Sequence, residues 1–299
     1  MLLQIGILLI IALVSASLTP VSPEEEEELK DYARFSSIAS CQSSSILMWN
    51  CGPLCTQLPG VTVISYFSNL STDGVGFIAK RNNDLLIVFR ASSTLINWIY
   101  NLEILQDQVP WNKAIDPSIS VHRGFYETYM SVRQQVRNGV QQNYKVGMRM
   151  VFVGHSLGGA LATLALSDLV EEGIVPTVMT RLITFGSPRI GNAAWMNYFQ
   201  DRFSPISTRV TNKRDLVPHL PPQNPIIPYF QVTREWWFTH TNSGGASQGW
   251  KCSPDNAEDP LCSDQFDFYV VDDHFSFLGV VFGCAPQFIP LHWRRAANL

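Results

Sequence analysis

Charge is scarce in this chain. Only 15% of its 299 residues are charged, and 25 acidic against 21 basic side chains leave a formal net charge of −4. There is thus no electrostatic case for a nucleic-acid partner. A mildly acidic protein has no strong pull towards anionic membranes either, so any contact with lipid must be apolar in origin. A fixed-period repeat and a heptad run are missing, which sets aside solenoids and coiled coils. Neither a paired C-x-x-C nor a histidine cluster supports a zinc site. The apolar run Leu2 to Val14 is interrupted by Gln4 and Gly6 and has no Lys or Arg before it. It is too short for a comfortable membrane span.

What is plentiful is apolar. At 46% hydrophobic, the chain suits one large domain with a single core. The opening run ends in Val14-Ser15-Ala16-Ser17, small residues of the kind found at a signal-peptide cleavage site. Residues 1–17 therefore read as a signal peptide, with a retained signal anchor as the alternative. The expectation is a secreted, extracellular protein whose mature chain has no integral membrane span. Thr19 to Lys30, with Pro20, Pro23 and five consecutive glutamates, predicts a solvated, disordered arm or short propeptide. The layout becomes an acidic segment at 18–28, a folded domain at 29–284 and a tail at 285–299. Six cysteines in an oxidising compartment suggest disulfides. Cys51 with Cys55 could close one small loop and Cys252 with Cys262 another, leaving Cys41 and Cys284, but other pairings are open. Asn69-Leu70-Ser71 is the one glycosylation sequon.

The rest of the sequence can be read as support for Met150 to Leu166. Met150-Val151-Phe152-Val153 is a buried strand by pattern, and Gly159 to Leu166 a buried helix. Between them, Gly154-His155-Ser156-Leu157-Gly158 fits G-x-S-x-G. In that context the motif holds a serine on a crowded turn at the end of a sheet, its hydroxyl projecting.

Elsewhere, Leu29 to Ser40 predicts an amphipathic helix, and Val61 to Phe67 and Gly74 to Lys80 predict strands. A four-residue loop, Arg81-Asn82-Asn83-Asp84, joins the latter to a central strand, Leu85 to Phe89. A helix follows from Tyr126 to about Tyr144, then after the motif a strand at Leu182 to Pro188, so the serine turn lies in a β-α-β unit. Gly191 to Phe203 reads as a helix, Thr208 to Thr211 as a short strand, Gln231 to Thr239 as strand-like, and Ser243 to Asp264 as a polar loop. The fold class is α/β.

A serine hydroxyl is a weak nucleophile at neutral pH. It needs a base, usually histidine, and an acid that holds the imidazole in the right tautomer. On this scaffold the chain order is Ser, then Asp or Glu, then His. Asp215 follows a short strand, where the active-site loops of parallel sheets collect. Asp168 lies on the helix after the motif and should face away, and Asp201 sits in a polar helix end. Of His219, His240, His274 and His292, the first is too near Asp215 in sequence, and His274 opens the last apolar element. His274 is the preferred base, with the others open. The oxyanion needs preorganised donors. These are the backbone N–H of Leu157 and, from the loop after the earlier central strand, Ser92, which could equally be a helix cap. Leu95, Ile96, Trp98, Ile99 and Leu102 crowd apolar groups into one or two turns, as in a core helix or a mobile flap.

Several stretches together resemble the secreted fungal and yeast lipases of the class 3 family. They are Phe89-Arg90-Ala91-Ser92, Asn97-Trp98-Ile99, His122-Arg123-Gly124-Phe125, Gly154 to Ala160, Phe185 to Asn192, Asp215-Leu216-Val217-Pro218 with Leu220-Pro221-Pro222, and Asp273-His274. The similarity runs from Tyr32 to about Cys284. It implies an α/β-hydrolase fold, a mostly parallel sheet flanked by helices with a short lid helix. It implies Ser156 as nucleophile, Asp215 as acid, His274 as base, and Ser92 and Leu157 at the oxyanion hole, Ser92 with its hydroxyl as well as its amide. It makes Leu95 to Leu102 the lid, with Ile96, Trp98 and Ile99 meeting lipid, and supports the pairs Cys41–Cys284 and Cys51–Cys55. Ala91 stands where relatives commonly carry glycine, and Tyr229-Phe230-Gln231 lacks a histidine often found there. The implied activity is hydrolysis of acylglycerols at a lipid–water interface by a monomer, with no metal or organic cofactor. Phospholipase A1 and feruloyl esterase are the enzymatic alternatives, and a catalytically dead lipid-binding protein is the non-enzymatic one.

Overall fold

The computed structural model describes residues 18–94, 104–109, 111, 115–232, 234–241 and 247–284. The expected signal peptide, the lid stretch with Ile96, Trp98 and Ile99, His292 and the 285–299 tail lie outside the described residues.

Among the described residues nine strands form the central sheet: β1 (Thr19–Pro20), β2 (Val61–Asn69), β3 (Gly74–Arg81), β4 (Asp84–Phe89), β7 (Arg149–His155), β8 (Thr180–Phe185), β9 (Ser207–Asn212), β10 (Glu235–Thr241) and β11 (Ser247–Lys251). The numbering leaves room for β5 (Gln106–Gln108) and β6 (Ser120–His122), which pair separately. Across the sheet the order is β1-β11-β10-β9-β8-β7-β4-β3-β2. The five strands from β4 to β10 in that order run parallel, and antiparallel ribbons close both edges. Parallel strands buried on both faces explain the unbroken apolar runs: β4 and β7 are buried along nearly their whole length. One face packs on the helices Arg123–Asn143, Leu157–Glu171 and Ala193–Phe203, with Phe152, Leu161, Tyr129 and Trp195 in the core. The other face packs on the N-terminal helix Pro23–Ile38 and the closing segment, through Phe35, Phe77, Val153 and Phe277. This is the α/β-hydrolase fold expected from the sequence.

Three local expectations are corrected. The glutamate run is not a disordered arm: it begins the helix Pro23–Ile38. Ser22 and Glu25 form a reciprocal capping box, Pro23 occupies the first turn, and the acids there favour the positive end of the helix dipole. Glu25 and Glu28 are also paired with Lys251 and Arg181, both at 2.5 Å. The β3–β4 connection has two residues, not four, because Arg81 and Asp84 face each other in the ladder and Asn82 takes a positive φ of 54°. The polar loop from Ser243 contains β11, an edge strand whose pairing with β10 and β1 outweighs its polar composition.

Three disulfides join Cys41 to Cys284, Cys51 to Cys55 and Cys252 to Cys262. The first ties the N-terminal helix to the end of the described chain.

Candidate active site

Strand β7 ends at His155 and the helix Leu157–Glu171 begins at Leu157, so Ser156 alone makes the turn. Its backbone sits at φ 57°, ψ −128°, a conformation costly for a residue with a Cβ. The surroundings impose it. Ser156 N donates to the Phe185 carbonyl at 2.9 Å, and the Ser156 carbonyl accepts from Gly159 N at 2.9 Å. The turn is also tight: a Cβ on Gly154 would stand 2.1 Å from the Gly158 carbonyl oxygen. Ser156 is fully buried, and its Oγ has no hydrogen-bond partner.

Asp215 follows β9, and His274 closes the 3-10 turn Val271–His274. The two meet across the top of the sheet, with His274 Nδ1 2.8 Å from Asp215 Oδ2. The other Asp215 oxygen accepts from Val217 N at 2.9 Å. His274 Nε2 is buried and unpartnered, as Ser156 Oγ is. Ser156 and Asp215 follow the C-terminal ends of the parallel strands β7 and β9, and His274 reaches Asp215 from the later turn Val271–His274. Gly186, at φ 54°, leaves room for the pair: a Cβ there would lie 2.7 Å from both Asp215 Oδ2 and His274 Nδ1.

Burial sets the charges. It pushes the His274 imidazole down to about 3, so the ring is neutral at ordinary pH and its Nε2 can take a proton. It pushes the Asp215 carboxyl up, against the Val217 amide, which favours the carboxylate. His155 is held well below its ordinary value, first by burial and then by the neighbouring His274.

Sequence reasoning missed the residues that hold this pair. His155 points away from Ser156 but not from the site. Its Nε2 donates to the His274 carbonyl at 2.9 Å, while its ring stacks on Phe282 at 4.0 Å. Asn212 Nδ2 donates to the carbonyls of Asp273 and Ser276, both at 2.9 Å, and Arg214 N donates to Asp273 Oδ2 at 3.2 Å. The loop bearing Asp215 and the turn bearing His274 are thereby stitched together. These are contacts between segments about sixty residues apart, and no local motif announces them.

The rejected candidates have other employment. Asp168 is buried and accepts from Tyr129 Oη at 2.6 Å and from Arg133 at 2.8 and 2.7 Å. His219 stacks on Tyr269 at 3.8 Å and pairs with Asp264 at 3.3 Å. The His240 side chain lies outside the described residues.

Ser92 lies beyond β4, beside the elbow. It lines, with Leu157, Asp73 and Phe125, a cavity of about 550 Å³. Its hydroxyl donates to Asp73 Oδ2 at 2.9 Å and accepts from Thr94 N at 3.2 Å. The hydroxyl proton is therefore already engaged. Asn69 ends β2 near by, with its Oδ1 accepting from the Ser71 amide and hydroxyl at 3.2 and 2.7 Å. A second cavity, of about 920 Å³, opens at the opposite end of the sheet, where Arg149, Thr180 and Ser207 begin their strands, and does not adjoin Ser156.

Among the described residues, two side-chain groups have metal-ligand types within reach of one another. In Glu235, Cys252 and Cys262 both sulfurs are spent in a disulfide. In His219, Glu258 and Asp264 both Glu258 oxygens are taken by Arg189 at 2.8 Å, a cation where a metal would need to sit. Among the described residues no helix is long and apolar enough to cross a membrane.

Residues 86–225 match the class 3 lipase family. The chain is 30% identical to a lipase of Rhizomucor miehei over 274 residues, 89% of this chain and 72% of that protein. The solved R. miehei triacylglyceride lipase superposes with a TM-score of 0.79 at 28% identity, covering 90% of this chain and all of that one. A secreted mono- and diacylglycerol lipase of Penicillium camembertii is 32% identical over 198 residues, 64% of this chain and 61% of its own length.

Proposed function

The chain belongs to the class 3 lipase family and is an ester hydrolase, and from that premise we propose that it is a secreted triacylglycerol lipase working through Ser156, His274 and Asp215. One observation carries the reading. Ser156 Oγ and His274 Nε2 are both buried with no hydrogen-bond partner, and the other imidazole nitrogen of His274 is engaged by Asp215. Orphaned buried polar atoms are costly and rare in a folded interior. A site that keeps a hydroxyl and an imidazole nitrogen free supports a nucleophile and a base awaiting substrate.

Mechanism follows from that geometry. His274 Nε2 takes the hydroxyl proton as Ser156 Oγ attacks the ester carbonyl, and Asp215 stabilises the imidazolium that forms. The negative charge on the carbonyl oxygen is met by the amides of Leu157 and Ser92, at the positive end of the helix Leu157–Glu171. His274 then protonates the departing alcohol, leaving an acyl-enzyme that water hydrolyses by the same steps in reverse. No step calls on a metal or organic cofactor.

The substrate is an acylglycerol at a lipid–water interface, met by a monomer. The apolar residues Ile96, Trp98 and Ile99 support a lid that exposes its apolar face to lipid on opening. Secretion is supported by the three disulfides and the apolar leader. Turnover of triolein, tributyrin, phosphatidylcholine and methyl ferulate by the wild type, compared with Ser156→Ala, tests the whole. The expected result is preference for the triacylglycerols and loss of roughly 10⁵-fold or more in the variant, with unchanged folding. Preference for phosphatidylcholine or ferulate would replace the substrate; full activity of Ser156→Ala would overturn the mechanism.

A further inference from the structure

The β2–β3 turn carries a carboxylate whose partners, among the described residues, lie on the loop beyond β4. Asp73 has a left-handed backbone, φ 62°, that aims its side chain across to residues 90–93. Its Oδ2 accepts from Ser92 Oγ at 2.9 Å and from Ser93 N at 2.7 Å. Its Oδ1 accepts from Ser93 Oγ at 3.1 Å and from the Arg90 guanidinium. One carboxylate thus gathers four donors from three residues of the segment that contains Ser92. The same four residues, excepting Arg90, line the cavity with Leu157.

We propose that Asp73 is a positioning residue for the oxyanion hole, holding the Ser92 amide where it can meet the developing charge. This rests on the reading of Ser156, Ser92 and Leu157 given above. The contacts constrain how the loop works. The Ser92 hydroxyl donates to Asp73 and accepts a hydrogen bond from Thr94 N, so its side chain is held in one rotamer. Among the described residues, neither Ser92 N nor Leu157 N has a backbone acceptor. Two free amides therefore remain for an oxyanion, one fixed by the elbow and the other by Asp73. Donors that need no reorganisation during the reaction are what gives such a hole its effect. A carboxylate beside an oxyanion would ordinarily repel it. Arg90 cancels that charge locally, its guanidinium paired with Asp73 and both side chains largely buried, at 18% and 21% exposure.

A clamp of this kind acts on the transition state more than on the bound ester, which separates it from a merely stabilising contact. The test uses a soluble ester, p-nitrophenyl butyrate, with wild type, Asp73→Asn and Asp73→Ala, together with labelling by a fluorophosphonate, whose tetrahedral adduct uses the same donors. The expected result is a kcat lower by about 10-fold in Asp73→Asn and about 100-fold in Asp73→Ala, with KM within about 3-fold. Labelling rates should fall in parallel. Asn keeps one acceptor oxygen and so rescues part of the loss. Should Asp73→Ala fail to fold, the near-isosteric Asp73→Asn carries the same test. A kcat within about 3-fold of wild type in a folded variant, or a loss confined to KM, overturns the proposal. Ser156→Ala separates the two readings. If it retains turnover, the assignment of the site fails whatever Asp73 does; if it is dead while Asp73 variants keep full kcat, only the role of Asp73 fails.

Discussion

The two ends of the central sheet handle their polar groups in opposite ways. At the N-terminal ends of the parallel strands, charge meets charge: Arg149 pairs with Asp84 at 2.6 Å, Arg181 with Glu28 and Lys251 with Glu25 at 2.5 Å. These side chains are partly exposed and their backbones ordinary. At the C-terminal ends Ser156, Asp215 and His274 are buried, Ser156 is held at a positive φ, and Ser156 Oγ and His274 Nε2 are among the buried atoms that face no partner. One end is satisfied and the other is held in readiness. Parallel topology explains the division, since loops at the carboxyl ends converge while crossover helices cover the faces. The cost of burying unsatisfied groups and a strained turn is met by the apolar core beneath, not by the site itself.

Damage at the two ends should therefore differ in kind. The larger effect is expected from Asp215→Asn. The side chain keeps its size and its contact with the Val217 amide through one oxygen, but it no longer favours the proton on His274 Nδ1. The tautomer that leaves Nε2 free to accept is lost. We expect kcat lower by about 10⁴-fold with folding intact, read from ester turnover beside thermal unfolding. Activity within about 10-fold of wild type would mean that the buried pair is structural.

A subtler effect belongs to His155, which serves the site without touching substrate. Burial keeps its ring neutral in the folded protein, well below the ordinary 6.5. The unfolded chain therefore binds a proton in a range where the folded one does not, and the stability contributed by neutral His155 is complete above about 6.5 and drains away as pH falls. Gln in its place still offers an N–H to the His274 carbonyl but does not titrate. His155→Gln should lose less melting temperature than wild type between neutral and about pH 4. Asp215, whose carboxyl the same burial raises, takes up its proton as pH falls sooner in the folded chain than in the unfolded one, and so opposes this loss. The difference between the two proteins, not the slope of either, is the readout. Equal slopes would show that His155 is not the group that titrates.

The contrast between the ends also explains what could be read without coordinates. Ser156, Leu157 and the flanking glycines form one contiguous motif, and Asp215 is placed by the strand before it, whereas chain order left four histidines open and the resemblance to class 3 lipases singled out His274. The supports of the site were not legible. Asp73 reaches Ser92 across nineteen residues through a left-handed turn, and Asn212 reaches Asp273 across sixty-one. Nothing in periodicity or composition encodes such pairs. The N-terminal helix is a different kind of miss. Five glutamates suggest solvated chain by composition, yet Ser22-Pro23-Glu24-Glu25 is a capping signature that composition averages away. β11 was lost because an edge strand draws stability from its neighbours rather than from its own residues.

The smallest effect is expected where the acidic helix meets the sheet. Lys251→Ala removes the partner of Glu25, with side chains 30% and 34% exposed. Solvent screens such a pair, and freeing the long lysine chain returns side-chain entropy, so the loss should stay below about 1 kcal/mol and shrink in high salt. Lys251 also lies over the Trp236 ring at 4.8 Å, a contact that salt screens little once the lysine is packed. Repeating the unfolding in dilute and concentrated salt separates the two: a loss that persists in salt belongs to the ring, one that vanishes belongs to Glu25. In either case kcat should be unchanged, because the pair sits at the end of the sheet remote from Ser156. A fall in kcat with stability intact would show that the two ends are coupled through the strands, and the division drawn between them would not hold.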